Sequence, residues 1–128
     1  MKHNDIGALG EDVATVLLKK KGYKILGRNI HMSHNEIDVI AKNKTFLVFA
    51  EVKTRTVDSS LSSPYGTPAE AVNRAKQLRI IKAATDYIRL NPQKVKKLQP
   101  RFDVIEVYVD KIGDVLKTNH FEDAFYLN

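Results

Sequence analysis

The chain has 128 residues, 43% of them hydrophobic, with 21 lysines and arginines against 15 acids and a formal charge of +6. This length suits one domain, residues 1–128, burying roughly two thirds of its unfolded surface, and the positive balance favours a polyanionic partner such as nucleic acid or an anionic membrane. Having no cysteine, the chain has no disulfides, thiolate nucleophiles or Cys-based zinc sites, which leaves oxygen and imidazole as metal ligands.

The start, MKHNDIGALGED, lacks the charged and then apolar layout of a signal peptide, and no apolar run approaches the roughly 18 residues of a membrane span. A cytoplasmic protein with no membrane partner is expected. Residues 6–21 read as a helix: Ile6, Leu9, Val13, Val16 and Leu17 recur at the 3.6-residue period, and Gly22 follows a basic last turn. The projection gives an apolar face around Leu9, Val13 and Val16 and a polar stripe of Ala8, Asp12 and Lys19. Glu11 falls in neither. It shares a row with Gly7, Ala14 and Leu18, and either points at the rest of the fold or reaches solvent.

Strands are expected over 23–29, 36–41 and 45–55, with KNKT as the turn between the last two. TVDSSLSSPYGTP reads as a loop, and Thr67-Pro68-Ala69-Glu70 has the form of a capping box with proline at the first helical position. It would open a helix running to Leu90, with Val72, Ile80, Ala83 and Tyr87 on one apolar side and Lys76 among them. That lysine either snorkels outward or aims its ammonium at an anion inside. A basic linker, QKVKKLQPR, leads to a strand over 102–109, a turn around Gly113 and a last strand over 115–120. The order α-β-β-β-α-β-β implies an α/β (α+β) fold with a central mixed sheet flanked by helices.

Residues 35–55, NEIDVIAKNKTFLVFAEVKTR, carry the chemistry. Alternation puts Glu36, Asp38 and Ile40 on one face of their strand, and Phe49, Glu51 and Lys53 on one face of the next. A turn centred on Asn43-Lys44 sets Asp38 diagonal to Glu51; one centred on Lys44-Thr45 sets them directly opposite. Like charges so placed repel unless a cation joins them, and Mg²⁺ commonly takes one or two carboxylates, with water and substrate phosphate completing its shell. Lys53 follows Glu51 by about 6.6 Å along the strand, within reach of an attacking water or of charge growing on phosphorus. Glu-x-Lys by itself is common on solvated strand edges. LVFAEV, however, is apolar on both faces and therefore reads as a central strand, where unpaired charge is rare. Glu36 begins its strand and either faces water or meets Lys53.

Glu11, NEIDVIA, FAEVKTR, the Pro-Glu-Ala-Val helix start with Lys76, and RFDVIEV followed by DAF together resemble the bacterial YraN-type family. That family is grouped with the PD-(D/E)XK, restriction-endonuclease-like superfamily and is similar in layout to archaeal Holliday junction resolvases. The resemblance covers nearly the whole chain and implies a restriction-endonuclease-like α-β-β-β-α-β core. It implies an endonuclease acting on DNA, branched or flapped structures included, with Mg²⁺ or Mn²⁺ as cofactor. Asp38, Glu51 and Lys53 would form the metal and catalytic core, Glu11 would supply an auxiliary acid to the metal, and Lys76 would complete the pocket. Asn35 stands where the family usually has glycine, a position at which asparagine tolerates positive φ, and Ala50 replaces the commoner valine before Glu51. A homodimer would suit cutting of two strands.

Two other readings belong to different classes: a non-catalytic nucleic-acid-binding module with vestigial acids, and a protein-interaction subunit using the 56–67 loop. His31 and His34 with Glu36 fix no metal geometry at their spacing. His120 is uninterpreted, and Tyr65 in the Ser/Pro loop could stack on an unpaired base.

Overall fold

The computed structural model describes residues 3–57 and 72–127, in the order α1 (His3–Lys20), β1 (Lys24–Met32), β2 (Asn35–Lys42), β3 (Phe46–Thr56), α2 (Arg74–Leu90), β4 (Gln99–Val109) and β5 (Val115–Phe125). The five strands form one sheet in chain order. All neighbours are antiparallel except β3 and β4, which run parallel. A parallel pair needs a crossover, and the segment containing α2 supplies it. The expected α/β architecture, a central mixed sheet flanked by helices, is the one observed.

The helices cover the sheet through distinct clusters. On the α1 side Ala14 and Leu18 meet Val39, Ala41, Val48, Ala50, Ile105 and Val107. In a second cluster Ala83, Ala84 and Tyr87 of α2 meet Ile37, Ile40, Leu47 and Phe49, with Tyr87 edge-on to Phe49 at 6.0 Å. Strand β3 is thus buried between helices as its apolar run requires, and any charge along it needs a partner or an opening.

Helix α1 ends in a Schellman motif. Gly22 has φ +93°, its N–H donates to Lys19 O, and the Tyr23 N–H donates to Leu18 O. Its buried stripe differs from the expected one. Gly10, Ala14 and Leu18 face inward whereas Val16 is 51% exposed. The cause is the tight approach to β3, where a Cβ on Gly10 would collide with the Thr54 side chain. Of the expected apolar residues, Ile6, Leu9, Val13 and Leu17 pack partly buried against the same cluster and only Val16 falls outside it, so the small-residue row sets how closely the helix approaches while its bulkier neighbours flank the contact.

Other boundaries shift for local reasons. The hairpin between β1 and β2 turns through Ser33 and His34, at φ +50° and +72°, between the pair Met32 and Asn35. Positive φ at both central residues is the mark of a type I′ turn, so the left-handed conformation expected at Asn35 belongs to the two residues before it. The capping box at Thr67–Glu70 lies outside the described residues. A helix continuous from there to Leu90 is not formed, because Asn73 is extended (φ −67°, ψ 165°) and caps α2 by accepting the Lys76 N–H on its side chain at 2.8 Å. Strand β4 starts at Gln99, which takes Gln99, Pro100 and Arg101 out of the basic linker, and β5 runs on to Phe125.

Candidate functional site

Register decides between the two turns. Val39 pairs with Ala50 and Lys42 with Leu47, so the loop is centred on Lys44-Thr45, with Asn43 Oδ1 accepting the N–H groups of Thr45 and Phe46. Continuing that register by one residue sets Asp38 opposite Glu51. The backbone ladder ends there, and the side chain takes over: Val52 N–H donates to Asp38 Oδ2 at 2.8 Å. Where β2 and β3 part, a cleft of about 290 Å³ opens, lined by Gly7, Glu11, Asp38, Glu51, Val52, Lys53 and Thr54.

Two ammonium groups converge on Glu51. Its Oε1 lies 3.8 Å from Lys53 Nζ and 3.9 Å from Lys76 Nζ. Lys76 thus points at an anion inside the fold. Glu51 is only 5% exposed, and its Oε2 is buried with no hydrogen-bond partner. Native structures rarely leave such an atom unsatisfied unless an ion, water or strain explains it.

The charges are tuned accordingly. Burial first, and then the charge of Asp38, push the Glu51 carboxyl up to about 7, with Lys76 and Lys53 opposing. Asp38 is also raised, first by burial and further by Glu11 and Glu36, against the Val52 N–H and Lys76. Two facing carboxyls whose charged forms are both disfavoured are a pair that a cation would relieve.

Glu11 reaches this cleft from α1, yet its Oε1 accepts from Asn29 Nδ2 at 2.9 Å and lies 3.6 Å from Arg28. It acts on Asp38 through its charge while being held by β1. Among the described residues no group of three His, Cys, Asp or Glu side chains is gathered as a metal set. Glu36 lies opposite His31 across the hairpin at 3.7 Å with both side chains exposed, outside the cleft lining and not paired with Lys53, and it acts on Asp38 only through its charge.

Sequence reasoning missed the partners of the site. Arg28 and Asn29, which hold Glu11, lie in an expected strand with no charge pattern to mark them. Asn73, whose side chain anchors the Lys76 backbone, was masked by the stronger capping signal upstream. His120, uninterpreted in the sequence, belongs to a buried network: its Nε2 is 2.7 Å from Asp103 Oδ2, and Arg101 donates to both Asp103 oxygens. Lys21 Nζ lies 2.8 Å from His120 Nδ1, and because an ammonium can only donate, the ring proton sits on Nε2 toward Asp103.

Comparison with known proteins agrees with the extent of the sequence match. Residues 10–107 match the model of Uncharacterised protein family UPF0102. The chain is 43% identical to a UPF0102 protein of Clostridium beijerinckii, covering 98% of this chain and 97% of the relative. It is 46% identical to one of Caldanaerobacter subterraneus, over 94% and 93%. A third, from Dictyoglomus thermophilum, is 41% identical over 98% of this chain and all of the relative. With the match spanning most of its length, the chain belongs to the UPF0102 family.

Proposed function

We propose that this chain is a divalent-metal-dependent endonuclease that hydrolyses phosphodiester bonds of DNA, with the PD-(D/E)XK elements supplied by Asp38 and Glu51-Val52-Lys53 on a restriction-endonuclease-like core. The observation that carries this reading is the facing pair Asp38 and Glu51, with two ammonium groups within 4 Å of Glu51 and one of its oxygens buried without a partner. A cluster of acids and lysines on a +6 chain suits a phosphate substrate better than a neutral one.

The donor set fits Mg²⁺ or Mn²⁺, hard cations that accept two protein carboxylates and leave room for water and phosphate oxygen. When bound, such an ion activates water and offsets charge on the phosphoryl oxygens. Asp38 and Glu51 would hold it. Asp38 is oriented by the Val52 N–H, and Glu51 by Lys53 and Lys76. Of the two lysines, Lys53 lies in the cleft lining and is placed to steer the attacking water or to stabilise the charged phosphorane-like transition state. Lys76 holds Glu51 from the α2 side. Glu11 enters as the auxiliary acid, contributing charge beside Asp38 from its seat on Arg28 and Asn29.

Cleavage of duplex, single-stranded, flap and four-way-junction DNA with Mg²⁺ or Mn²⁺ tests this. The wild type is expected to cut at least one of them, and Asp38→Asn with Glu51→Gln to abolish cutting; activity unchanged in that variant would assign it elsewhere.

A second reading is favoured by the engagement of Glu11 with β1: a nucleic-acid-binding module whose acids no longer hold metal. It gives salt-sensitive binding without turnover, and tighter binding once the acids are neutralised. The protein-interaction reading rests on the 56–67 loop, most of which lies outside the described residues. In described α1 and α2, neither helix is long and apolar enough to cross a membrane.

A further inference from the structure

At the other end of α1 from the carboxylates, a pocket of about 610 Å³ is lined by Lys21, Gly22, Lys24, Lys42, Asn43, Lys44 and Thr45. No acid lines it among the described residues. Lys24 and Lys42 stand directly opposite each other on β1 and β2, a placement that destabilises a sheet unless an anion joins the pair. Several other described cations near this sheet are matched, Arg28 by Asp12, Lys53 and Lys76 by Glu51, Lys82 and Arg89 by Asp86, Arg101 by Asp103, while Lys117 on β5 stands alone without a second lysine opposite it. Lys24, Lys42 and Lys44 form no ion pair with any described residue. The linker bearing Lys96 and Lys97 adds exposed charge at the same end, since it enters β4 at Gln99, whose N–H donates to Thr45 O at 2.8 Å. Lys21 differs from the others in having its ammonium fixed, by His120.

We propose that this lysine pocket is a second phosphate-binding site, which takes a chain of phosphate groups. Along β2, four residues separate Lys42 from Asp38, about 13 Å, and along β3 six separate Thr45 from Glu51, about 20 Å. At about 3.4 Å of duplex axis per phosphate of one strand, the two sites lie four to six phosphates apart. A nucleic-acid backbone held in the lysine pocket would therefore extend to the carboxylate cleft. That link to cleavage rests on the nuclease reading; the phosphate site itself does not. The other source of the same chemistry is free inorganic polyphosphate.

Binding of a fluorescent 20-base-pair duplex, and separately of labelled inorganic polyphosphate, is measured by anisotropy against salt in EDTA, for wild type and Lys24→Gln/Lys42→Gln/Lys44→Gln. Losing three phosphate contacts lowers the log–log salt slope for duplex by about 2.7, so between 50 and 200 mM salt the wild type weakens roughly 40-fold more than the variant. The triple arginine variant is expected to keep the wild-type slope, and a thermal melt of the glutamine variant to show no loss of folding, since one like-charge pair has been relieved. A smaller slope for duplex supports the site with nucleic acid as its ligand. A smaller slope for polyphosphate alone supports the site and separates it from the cleft. Equal slopes for both ligands, or no binding of either by wild type, overturn it. Tight duplex binding by a wild type that never cleaves would remove the nuclease reading and leave the phosphate site standing.

Discussion

Glu51 carries its negative charge against the stability of the fold. Its folded pKa, about 7, lies above the unfolded value of 4.5, so between those values the native state binds more protons than the unfolded one. By linkage, stability falls as pH rises through that window and the loss is complete above it. Glu51→Gln is therefore expected to stabilise the apoprotein at pH 8 by about 1–3 kcal/mol, and to have little effect at pH 4, where both states are protonated. Denaturant titrations at the two pH values check this; equal effects at both would mean that charge is not the cause. Asp38, Glu51, Lys53 and Lys76 were legible in the sequence because charges interrupting apolar periodicity are conspicuous. The turn centre was not, since Asn43-Lys44 and Lys44-Thr45 differ by one register step that only the capping of Thr45 and Phe46 by Asn43 decides.

Elements hold these residues in place through their ends and close contacts. Asn73 fixes the first turn of α2 by bonding the Lys76 N–H, and so the same bond that caps the helix seats the lysine beside Glu51. Asn73→Ala is expected to cost about 1 kcal/mol, read as a lower denaturation midpoint with the slope unchanged. Gly10 lets α1 approach β3 until Thr54 occupies the space of a Cβ. Gly10→Ala should cost about 1–3 kcal/mol by overpacking despite the better helix propensity of alanine, and a stabilised variant would show that α1 moves freely. Strand and helix order were legible from periodicity. The apolar face of α1 was legible in Leu9 and Val13, which pack against the core, but not its centre on Gly10 and Ala14, because hydropathy ranks the exposed Val16 above the glycine and alanine that allow close approach. The N-cap of α2 was missed for a related reason: proline and a capping box upstream gave the louder signal.

Across the molecule, opposite ends of α1 differ in charge: acids converge at the cleft, and lysines that have no acidic partner among the described residues gather at the other end. Between α1 and the sheet the Arg101–Asp103–His120 network joins β4 to β5 and, through Tyr23 and Lys21, to the end of α1. Burial opposes the charge of Asp103, but hydrogen bonds from His120, Arg101 and the Asp123 N–H outweigh it and hold the carboxyl below its ordinary range. Its contribution is present above the unfolded pKa near 3.8 and lost as pH falls through the lower folded value. Asp103→Asn, which removes the buried counter-charge of Arg101 and leaves it only the half-exposed Glu122 at 3.1 Å, is expected to cost about 3 kcal/mol at pH 7, the low end for breaking a buried pair, measured by denaturant unfolding. This network was invisible in the sequence because its members lie in three segments that only the sheet brings together.

The central claim is that Asp38 and Glu51 share one divalent ion. Titration calorimetry of Mn²⁺ into the protein bound to a phosphorothioate duplex, repeated at pH 6.5 in buffers of different ionisation enthalpy, tests it most directly. The expected result is saturable uptake with proton release by wild type, since Glu51 is part-protonated at that pH, and none at this site in the Asp38→Asn/Glu51→Gln protein. Equal uptake by the two proteins, or no uptake by wild type, would contradict it.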